Sequence, residues 1–146
     1  MDTIEKEFIH ALATNDRQSL LRYLNSGINI WYVHPDSHWT LLNYAIEHEN
    51  FEIIETLLKL GLDINHMNTD PGGWGAVHHA TESAHDFFVQ SDQTEPDTKI
   101  LELVLSYSPD LTLRDSYGRI PIDYARHDKL KKLLLDRMNN DHQHKL

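Results

Sequence analysis

The feature that most restricts how this chain can fold is a pattern that recurs along it. Three segments each bring a small alanine at the same step after a turn-like start: His38–Ala45, Gly73–Ala80 and Gly118–Ala125. A more apolar stretch follows each of them, and an earlier segment, Phe8–Ile30, has the same order in a weaker form. Because a pattern that recurs at a regular interval predicts one structural unit repeated along the chain, we expect stacked copies of the same unit.

Each copy is expected to be a pair of helices. In the clearest second helix, apolar residues recur at the spacing of one buried helical face, at Ile53, Ile54, Leu57 and Leu58. Gly61 follows this helix, where a residue that tolerates positive φ is favoured. Pro121 falls at an opening turn, where its missing N–H is no loss. One such helix pair cannot cover its own apolar face, so stacking is needed to bury it.

The repeated segments resemble the ankyrin repeat, whose period is about 33 residues and whose signature is T-P-L-H-x-A. Parts of that signature stand at matching steps of three copies, as Thr40 and Leu42, Val77 and His78, and Pro121 and Ile122. The run LLKLGLDIN at residues 57–65 is similar to the family's helix end and turn, LLxxGADVN. The resemblance implies an all-α fold, an ankyrin-repeat solenoid of about four helix-turn-helix repeats with degenerate first and last caps.

The same resemblance implies a single domain over residues 1–146, with repeats at about 1–34, 35–69, 70–114 and 115–138 and a tail at 139–146. The corresponding alanines are 35 residues apart from Ala45 to Ala80 but 45 apart from Ala80 to Ala125, which indicates an insertion in the third repeat. Most additional residues fall in Ala84–Asp97, AHDFFVQSDQTEPD, which has four acidic and no basic side chains. We expect a loop at its polar end and at least one of Phe87 and Phe88 in the core. A role of this insertion in function is the alternative, because insertions in repeat proteins often map to a binding face.

The net charge of −10 at pH 7 is unevenly distributed. Residues 1–113 carry 5 basic and 18 acidic side chains, whereas residues 114–146 carry 8 basic and 5 acidic ones. An acidic surface repels phosphate backbones, which disfavours nucleic acid as a partner, and it favours encounter with a basic protein. A charge that serves only solubility is the alternative.

Cysteine is absent, and no apolar run approaches the roughly 20 residues of a membrane helix. The N-terminal residues show no basic leader followed by an apolar stretch. The sequence therefore predicts a cytoplasmic protein without disulfides and without membrane contact.

In the ankyrin family, partners usually contact the tips of the turns and the exposed side of the first helices. Carried over position by position, this face comprises Tyr32, His34, Asp36, Trp39, Glu47, His48, His66, Met67, Trp74, Glu82, Arg114, Tyr117 and Arg119. Trp39 and Trp74 stand at the same step of successive repeats, and exposed aromatic residues are common binding hot spots. The alternative is that these rings pack against the neighbouring turn and stiffen the stack.

No catalytic signature is present, since the sequence lacks a Gly-rich phosphate loop, G-x-S-x-G and H-E-x-x-H. We therefore predict that the protein is not an enzyme and holds no cofactor or metal. His78, Glu82 and His85 stand at i, i+4 and i+7, the spacing of one helix face, but spacing alone does not establish a metal site. The family resemblance instead implies that the His78 imidazole hydrogen-bonds neighbouring backbone.

These observations favour a protein–protein interaction module that binds one dedicated, basic protein partner through its concave or finger face. Stand-alone ankyrin-type proteins include bacterial immunity proteins, so the resemblance suggests a toxin-neutralising inhibitor as a specific form. Two alternatives stay open: a non-inhibitory cytoplasmic adaptor or regulatory subunit, and a His-rich metal- or heme-accessory protein.

Overall fold

The computed structural model describes residues 3–69 and 73–144, with side chains through residue 140. The chain divides into two compact units, unit 1 (Met1–Asp63) and unit 2 (Ile64–Leu146). Each unit has a buried apolar core of its own. Phe8 and Leu57 are fully buried in unit 1, and Leu105 and Leu134 are fully buried in unit 2.

Unit 1 consists, over its described residues, of two helix pairs. The first pair is α1 (Ile4–Ala13) and α2 (Arg17–Asn25), and the second is α3 (Leu41–Glu47) and α4 (Phe51–Lys59). Helix α1 packs against both α2 and α3, and α3 packs against α4. The residues that the sequence pattern placed on one face of α4 are all buried, as predicted: Ile53, Ile54, Leu57 and Leu58.

The same hydrogen bond closes the turn within each pair of unit 1. The N–H of Asp16 donates to the carbonyl of Ala11 at 2.9 Å. The N–H of Asn50 donates to the carbonyl of Ala45 at 3.0 Å. The side chains of Asp16 and Asn50 also accept a backbone N–H at the start of the second helix, which caps it. The alanine of the recurring pattern therefore accepts the hydrogen bond that ends the first helix of each pair.

Unit 2 contains, over its described residues, three α-helices and one 3-10 helix. Helix α5 (Ala76–Val89) packs against α6 (Lys99–Leu105) and against the 3-10 helix (Pro121–Tyr124). The 3-10 helix packs against α7 (Asp128–His144), which runs through most of the predicted tail. Pro121 stands in the first turn of the 3-10 helix, as the sequence predicts.

The insertion of the third repeat lengthens α5 and then forms a loop up to Thr98, so the loop predicted at its polar end is confirmed. The expectation that Phe87 or Phe88 belongs to the core is wrong. Phe87 is 38% exposed, and Phe88 is only half-buried, with its ring 5.1 Å from the His127 ring. Helix α5 has 14 residues and α6 has 7, so α5 outruns its neighbour by about 10 Å. The last turns of α5 therefore lie beyond the apolar surface that covers its first turns.

The predicted all-α class is confirmed, since the described residues form helices and only an isolated antiparallel bridge, between Val33 and Thr40. Within this part of the chain, no helix is long and apolar enough to cross a membrane. The single domain over residues 1–146 and the repeat boundaries after residues 34, 69 and 114 stay predictions.

Candidate partner-binding surface

Finger 1, the turn-bearing segment at residues 29–40 of unit 1, begins with a turn that Asn29 fixes. The Asn29 side chain accepts the N–H of Trp31 at 3.0 Å, and its carbonyl accepts the N–H of Tyr32 at 3.2 Å. The N–H of Asn29 donates to the carboxylate of Glu5 at 3.2 Å, which ties the finger to α1. The start of finger 1 is thus held by Asn29, whose side chain, N–H and carbonyl all form hydrogen bonds.

One side of finger 1 packs its aromatic rings against α3. The Tyr32 ring lies edge-on to the His34 ring at 6.4 Å, and the His34 ring lies 6.0 Å from the Tyr44 ring. The half-buried Trp39 ring also contacts Tyr44, edge-on at 5.2 Å between centroids. Trp39 therefore packs on α3, and its contact with a partner stays a prediction.

The opposite side of finger 1 carries exposed apolar side chains. Trp31 is 57% exposed and Val33 is 43% exposed. Val33 faces outward because it alternates with the inward Tyr32 and His34 in extended backbone, and Trp31 is presented by the preceding turn. Asp36 is exposed on the same finger. The outward side of finger 1 thus combines apolar side chains with a carboxylate.

Finger 2, described at residues 64–69 and 73–75 of unit 2, differs from finger 1 because its tryptophan is engaged within the unit. The Trp74 Nε1 donates to the Tyr124 hydroxyl at 3.1 Å, and the two rings lie edge-on at 5.6 Å. Met67 is half-buried against Gly75, where a Cβ atom would lie only 2.7 Å from the Met67 Sδ. His66 is exposed. The geometry favours a packing role for Trp74, and its partner-binding role stays a prediction.

His78, in the first turn of α5, is 1% exposed. Its Nδ1 accepts the N–H of Gly75 at 3.3 Å, and its Nε2 lies 3.0 Å from the carbonyl oxygen of Arg119. Since Nδ1 is an acceptor, the proton is on Nε2, which donates to that carbonyl. Burial lowers the pKa of His78, although the Arg119 carbonyl and the Asp115 charge oppose this effect. The backbone-bracing role that the family resemblance implies for His78 is confirmed.

Finger 3, at residues 111–120 of unit 2, closes around the buried carboxylate of Asp115. Its Oδ1 accepts the N–H of Tyr117 at 2.9 Å and the N–H of Arg119 at 3.0 Å, and the Tyr124 hydroxyl donates to Oδ2. The Asp115 N–H donates to the Arg119 carbonyl at 2.9 Å. Burial raises the pKa of Asp115, but the hydrogen bonds from Tyr124 and the two backbone N–H groups outweigh it and leave the pKa lowered.

Two arginines and a tyrosine are exposed on finger 3. Tyr117 is 70% exposed, and Arg114 and Arg119 are exposed beside it in the sequence. The Arg114 Nη1 donates to the carbonyl of Gly118 at 2.6 Å. The Arg119 Cζ lies 5.8 Å from the centroid of the Tyr117 ring and 5.7 Å from that of Tyr124. Both guanidinium groups are therefore positioned by contacts within the finger.

Residues 9–58, which include finger 1, match the family model described as ankyrin repeats (many copies). The chain is therefore similar to ankyrin-repeat proteins over about a third of its length. Its fold class is accordingly all-α and ankyrin-like, while the number of repeats and the nature of their caps stay predictions. None of the curated proteins compared with the chain matches it. Ankyrin repeats are generally modules for protein–protein interaction.

The residues predicted to bind a partner fall into two groups by exposure. Those that are exposed are Asp36, Glu47, His48, His66, Arg114, Tyr117 and Arg119. Those that are half-buried are Tyr32, His34, Trp39, Met67, Trp74 and Glu82. The predicted residues of unit 1 lie on finger 1 and at the end of α3. The predicted basic residues of unit 2, Arg114 and Arg119, lie on finger 3. Contact of these residues with a partner stays a prediction.

Glu82 lies in the middle of α5 and is engaged within unit 2. Its carboxylate accepts from the Arg126 guanidinium at 3.0 Å, and its side chain is only 15% exposed. Burial raises the pKa of Glu82, and the charge of Arg126 opposes that rise. Among the described residues, no three His, Asp or Glu side chains are placed to hold a metal ion. The side chains of the tail histidines, His142 and His144, lie outside the described residues.

The structure adds two residues that the sequence analysis did not assign to this surface, Trp31 and Val33. For Val33, its alternation with Tyr32 and His34 was the available signal, whereas Trp31 lies in the turn before this extended stretch. Trp31 is presented by the turn that Asn29 fixes, and Asn29 is held by Glu5, 24 residues away in the sequence. No local pattern contains that contact.

Proposed function

We propose that this protein binds one dedicated, basic protein partner, with the outward side of finger 1 at the centre of the contact. The observation that carries the proposal is the 57% exposed Trp31, presented by a turn that Asn29 holds. A tryptophan that reaches full burial only in a complex is the residue type most enriched among binding hot spots. Because hydrogen bonds already fix the turn, binding would order little additional backbone, which lowers its entropic cost.

The charge of unit 1 supports a basic partner. Residues 1–63 carry 4 basic and 10 acidic side chains. One of the four, Arg17, is paired with Glu52 at 3.0 Å, where both side chains are well exposed. The remaining excess of carboxylates would attract a basic surface over a long range and orient its approach to the apolar centre.

Two forms of the proposal differ in what binding does to the partner. In the inhibitor form, the chain covers the partner's active site, as a toxin-neutralising immunity protein does. In the adaptor form, the chain tethers the partner and leaves its activity unchanged. Both forms place the encounter in the cytoplasm, a proposal that the absence of cysteine supports.

The test compares the tagged chain with a Trp31→Ala/Val33→Ala double variant in capture from host lysate, followed by titration of the purified partner. Leu60→Ala is the matched control, since Leu60 is 53% exposed in the same unit but lies at the end of α4. We expect wild type and control to retain one stoichiometric basic protein. The double variant should lose at least roughly 30-fold in affinity, since hot-spot truncation costs about 2 kcal/mol or more.

Equal affinity of the double variant and the wild type would show that finger 1 is not the centre of the contact. The partner's activity, measured with a stoichiometric amount of the chain, separates the two forms. Loss of activity supports the inhibitor form, and unchanged activity supports the adaptor form.

A further inference from the structure

We propose that finger 3 binds a carboxylate-bearing segment, an acidic loop or chain terminus of a protein, through Arg114 and Arg119 with Tyr117 beside them. The proposal rests on the proposed function only in that the ligand belongs to a protein. It gives finger 3 a chemistry opposite to that of finger 1, which presents apolar and acidic side chains.

Within the described residues, Arg114 and Arg119 lack ion-pair partners. Other basic side chains of unit 2 do have such partners, as in the pairs Arg126–Glu82 at 3.0 Å and Lys129–Glu95 at 3.1 Å. In a chain with a net charge of −10, these two exposed guanidinium groups without an ion pair leave a place for an external carboxylate, because the carboxylate of Asp115 is buried and engaged by backbone N–H groups and by Tyr124.

Both guanidinium groups keep N–H groups that can donate to a ligand. Arg114 uses one of its N–H groups on the Gly118 carbonyl, and a guanidinium has five such groups. Arg119 lies close to the rings of Tyr117 and Tyr124, and stacking leaves the in-plane N–H groups of a guanidinium able to donate. Such forked donors match a carboxylate, which accepts two parallel hydrogen bonds.

Hydrogen bonds within unit 2 hold the backbone of finger 3 before any ligand binds. The Asp115 carboxylate holds the backbone N–H groups of Tyr117 and Arg119, and His78 holds the Arg119 carbonyl. The backbone that carries the three side chains is therefore fixed from within unit 2. A ligand would have to order only the ends of long side chains, which keeps the entropic cost of binding low.

The surroundings favour an acidic protein segment over a nucleic acid. Recognition of a phosphate backbone needs a basic stripe that follows many phosphates, and its strength grows with their number. Finger 3 offers two guanidinium groups flanked by the carboxylates Asp115 and Asp123. It also offers the apolar ring of Tyr117, 70% exposed, which suits an apolar side chain next to the ligand's carboxylates.

The experiment titrates the full chain with a labelled peptide, Glu-Glu-Phe-Glu-Glu, and follows backbone amide shifts by NMR. The uncharged peptide Gln-Gln-Phe-Gln-Gln and a single-stranded oligonucleotide are the comparison probes. The variant is Arg114→Gln/Arg119→Gln. Lys131→Gln/Lys132→Gln is the matched control, because it removes the same charge from exposed positions of α7 in the same unit.

We expect the acidic peptide to shift the amides of residues 114–119 in wild type and control, and the uncharged peptide to leave them unchanged. The arginine variant should bind the acidic peptide roughly tenfold or more weakly, because it loses charge-assisted hydrogen bonds to the peptide carboxylates. Its far-ultraviolet circular dichroism and melting curve establish that the fold is kept.

Three outcomes would overturn the proposal: equal weakening in the arginine variant and the lysine control, shifts confined to residues outside finger 3, or tighter binding of the oligonucleotide at the same residues. Each of these leaves the finger 1 experiment unaffected. Conversely, failure of the Trp31→Ala/Val33→Ala variant to lose its partner would leave the peptide result standing.

Discussion

At the residue scale, two buried polar side chains form hydrogen bonds with backbone groups that have no partner within a helix. Asp115 holds three hydrogen-bond donors of finger 3 and the 3-10 helix, and His78 joins the start of α5 to finger 3. Buried backbone groups need such partners, since an unmatched one costs free energy comparable to a lost hydrogen bond. The fingers of unit 2 therefore depend on a few polar contacts as well as on apolar packing.

Acidification should destabilise the fold through His78. The pKa of His78 is lowered in the folded state, so the unfolded chain binds the proton more tightly. The contribution of His78 is complete above its unfolded pKa of about 6.5 and is lost as the pH falls toward the folded value. We expect the melting temperature to fall between pH about 7.5 and about 5.5.

A His78→Gln variant tests the assignment, because glutamine can donate and accept but does not titrate. It should be less stable than wild type at neutral pH and should lose less of its melting temperature on acidification. His66→Gln, at an exposed histidine of the same unit, is the control and should follow wild type. An equal loss on acidification in His78→Gln and wild type would contradict the prediction.

The sequence predicts the role of a single residue well when the residues that it contacts belong to the repeat pattern, and poorly when they are distant in the chain. The role of His78 followed from the signature, because its acceptor and donor belong to the repeat frame. Trp31 could not be placed, because Asn29 and the distant Glu5 decide which way the turn presents it. The sequence set Trp39 and Trp74 as equivalent, yet they contact different neighbours, Tyr44 in unit 1 and Tyr124 in unit 2.

At the element scale, the recurring pattern predicted the helices best where apolar spacing and end signals agree. Helix α4 has its four predicted residues buried, and Gly61 after it has φ of +103°, in the left-handed region. The structure of the insertion was harder to predict, because the sequence of Ala84–Val89 is compatible with both a helix and a loop. Packing decides such a segment, and α6 is too short to cover it. The two phenylalanines therefore lie outside the core despite their apolar character.

The start of α3 gives a prediction about one element. The Thr40 side chain accepts the N–H of Asn43 at 3.2 Å, and the Asn43 side chain accepts the N–H of Thr40 at 3.1 Å. Thr40→Ala should lower the free energy of unfolding by about 1 kcal/mol, the usual cost of losing such a cap, and Thr40→Ser should keep most of it. Urea denaturation followed by circular dichroism measures both. Equal stability of Thr40→Ala and Thr40→Ser would show that the capping box contributes nothing.

At the scale of the whole molecule, the sequence predicted the all-α class and the uneven charge. Both follow from properties that need no long-range contact, namely the period of apolar residues and a count of side chains. The sequence did not predict which charged side chains form ion pairs and which do not. A basic partner was expected for the whole binding surface, whereas the two guanidinium groups of finger 3 lie where no carboxylate pairs with them among the described residues.

The net charge also predicts how the protein behaves in concentrated solution. The isoelectric point is about 5.4, so charge repulsion between molecules vanishes there while Trp31 and Tyr117 stay exposed. Light scattering should therefore show increasing self-association as the pH approaches this value, and a return to neutral pH should reverse it. Circular dichroism at each pH separates this effect from unfolding. Scattering that stays constant over this range would contradict the prediction.

In finger 3, the residues that hold the backbone differ from the exposed side chains at its tip, and this affects how the surface can change during evolution. The backbone of finger 3 is held mainly by Asp115 and His78, while the side chain of Arg114 adds one hydrogen bond, to the Gly118 carbonyl, and the exposed side chain of Tyr117 lies outside these hydrogen bonds. Mutations at the codons of Arg114 and Tyr117 therefore alter what the tip recognises without removing the main contacts that keep it in place. A lineage whose partner drifts in sequence can follow it by single substitutions here, each of which leaves a folded protein for selection to act on.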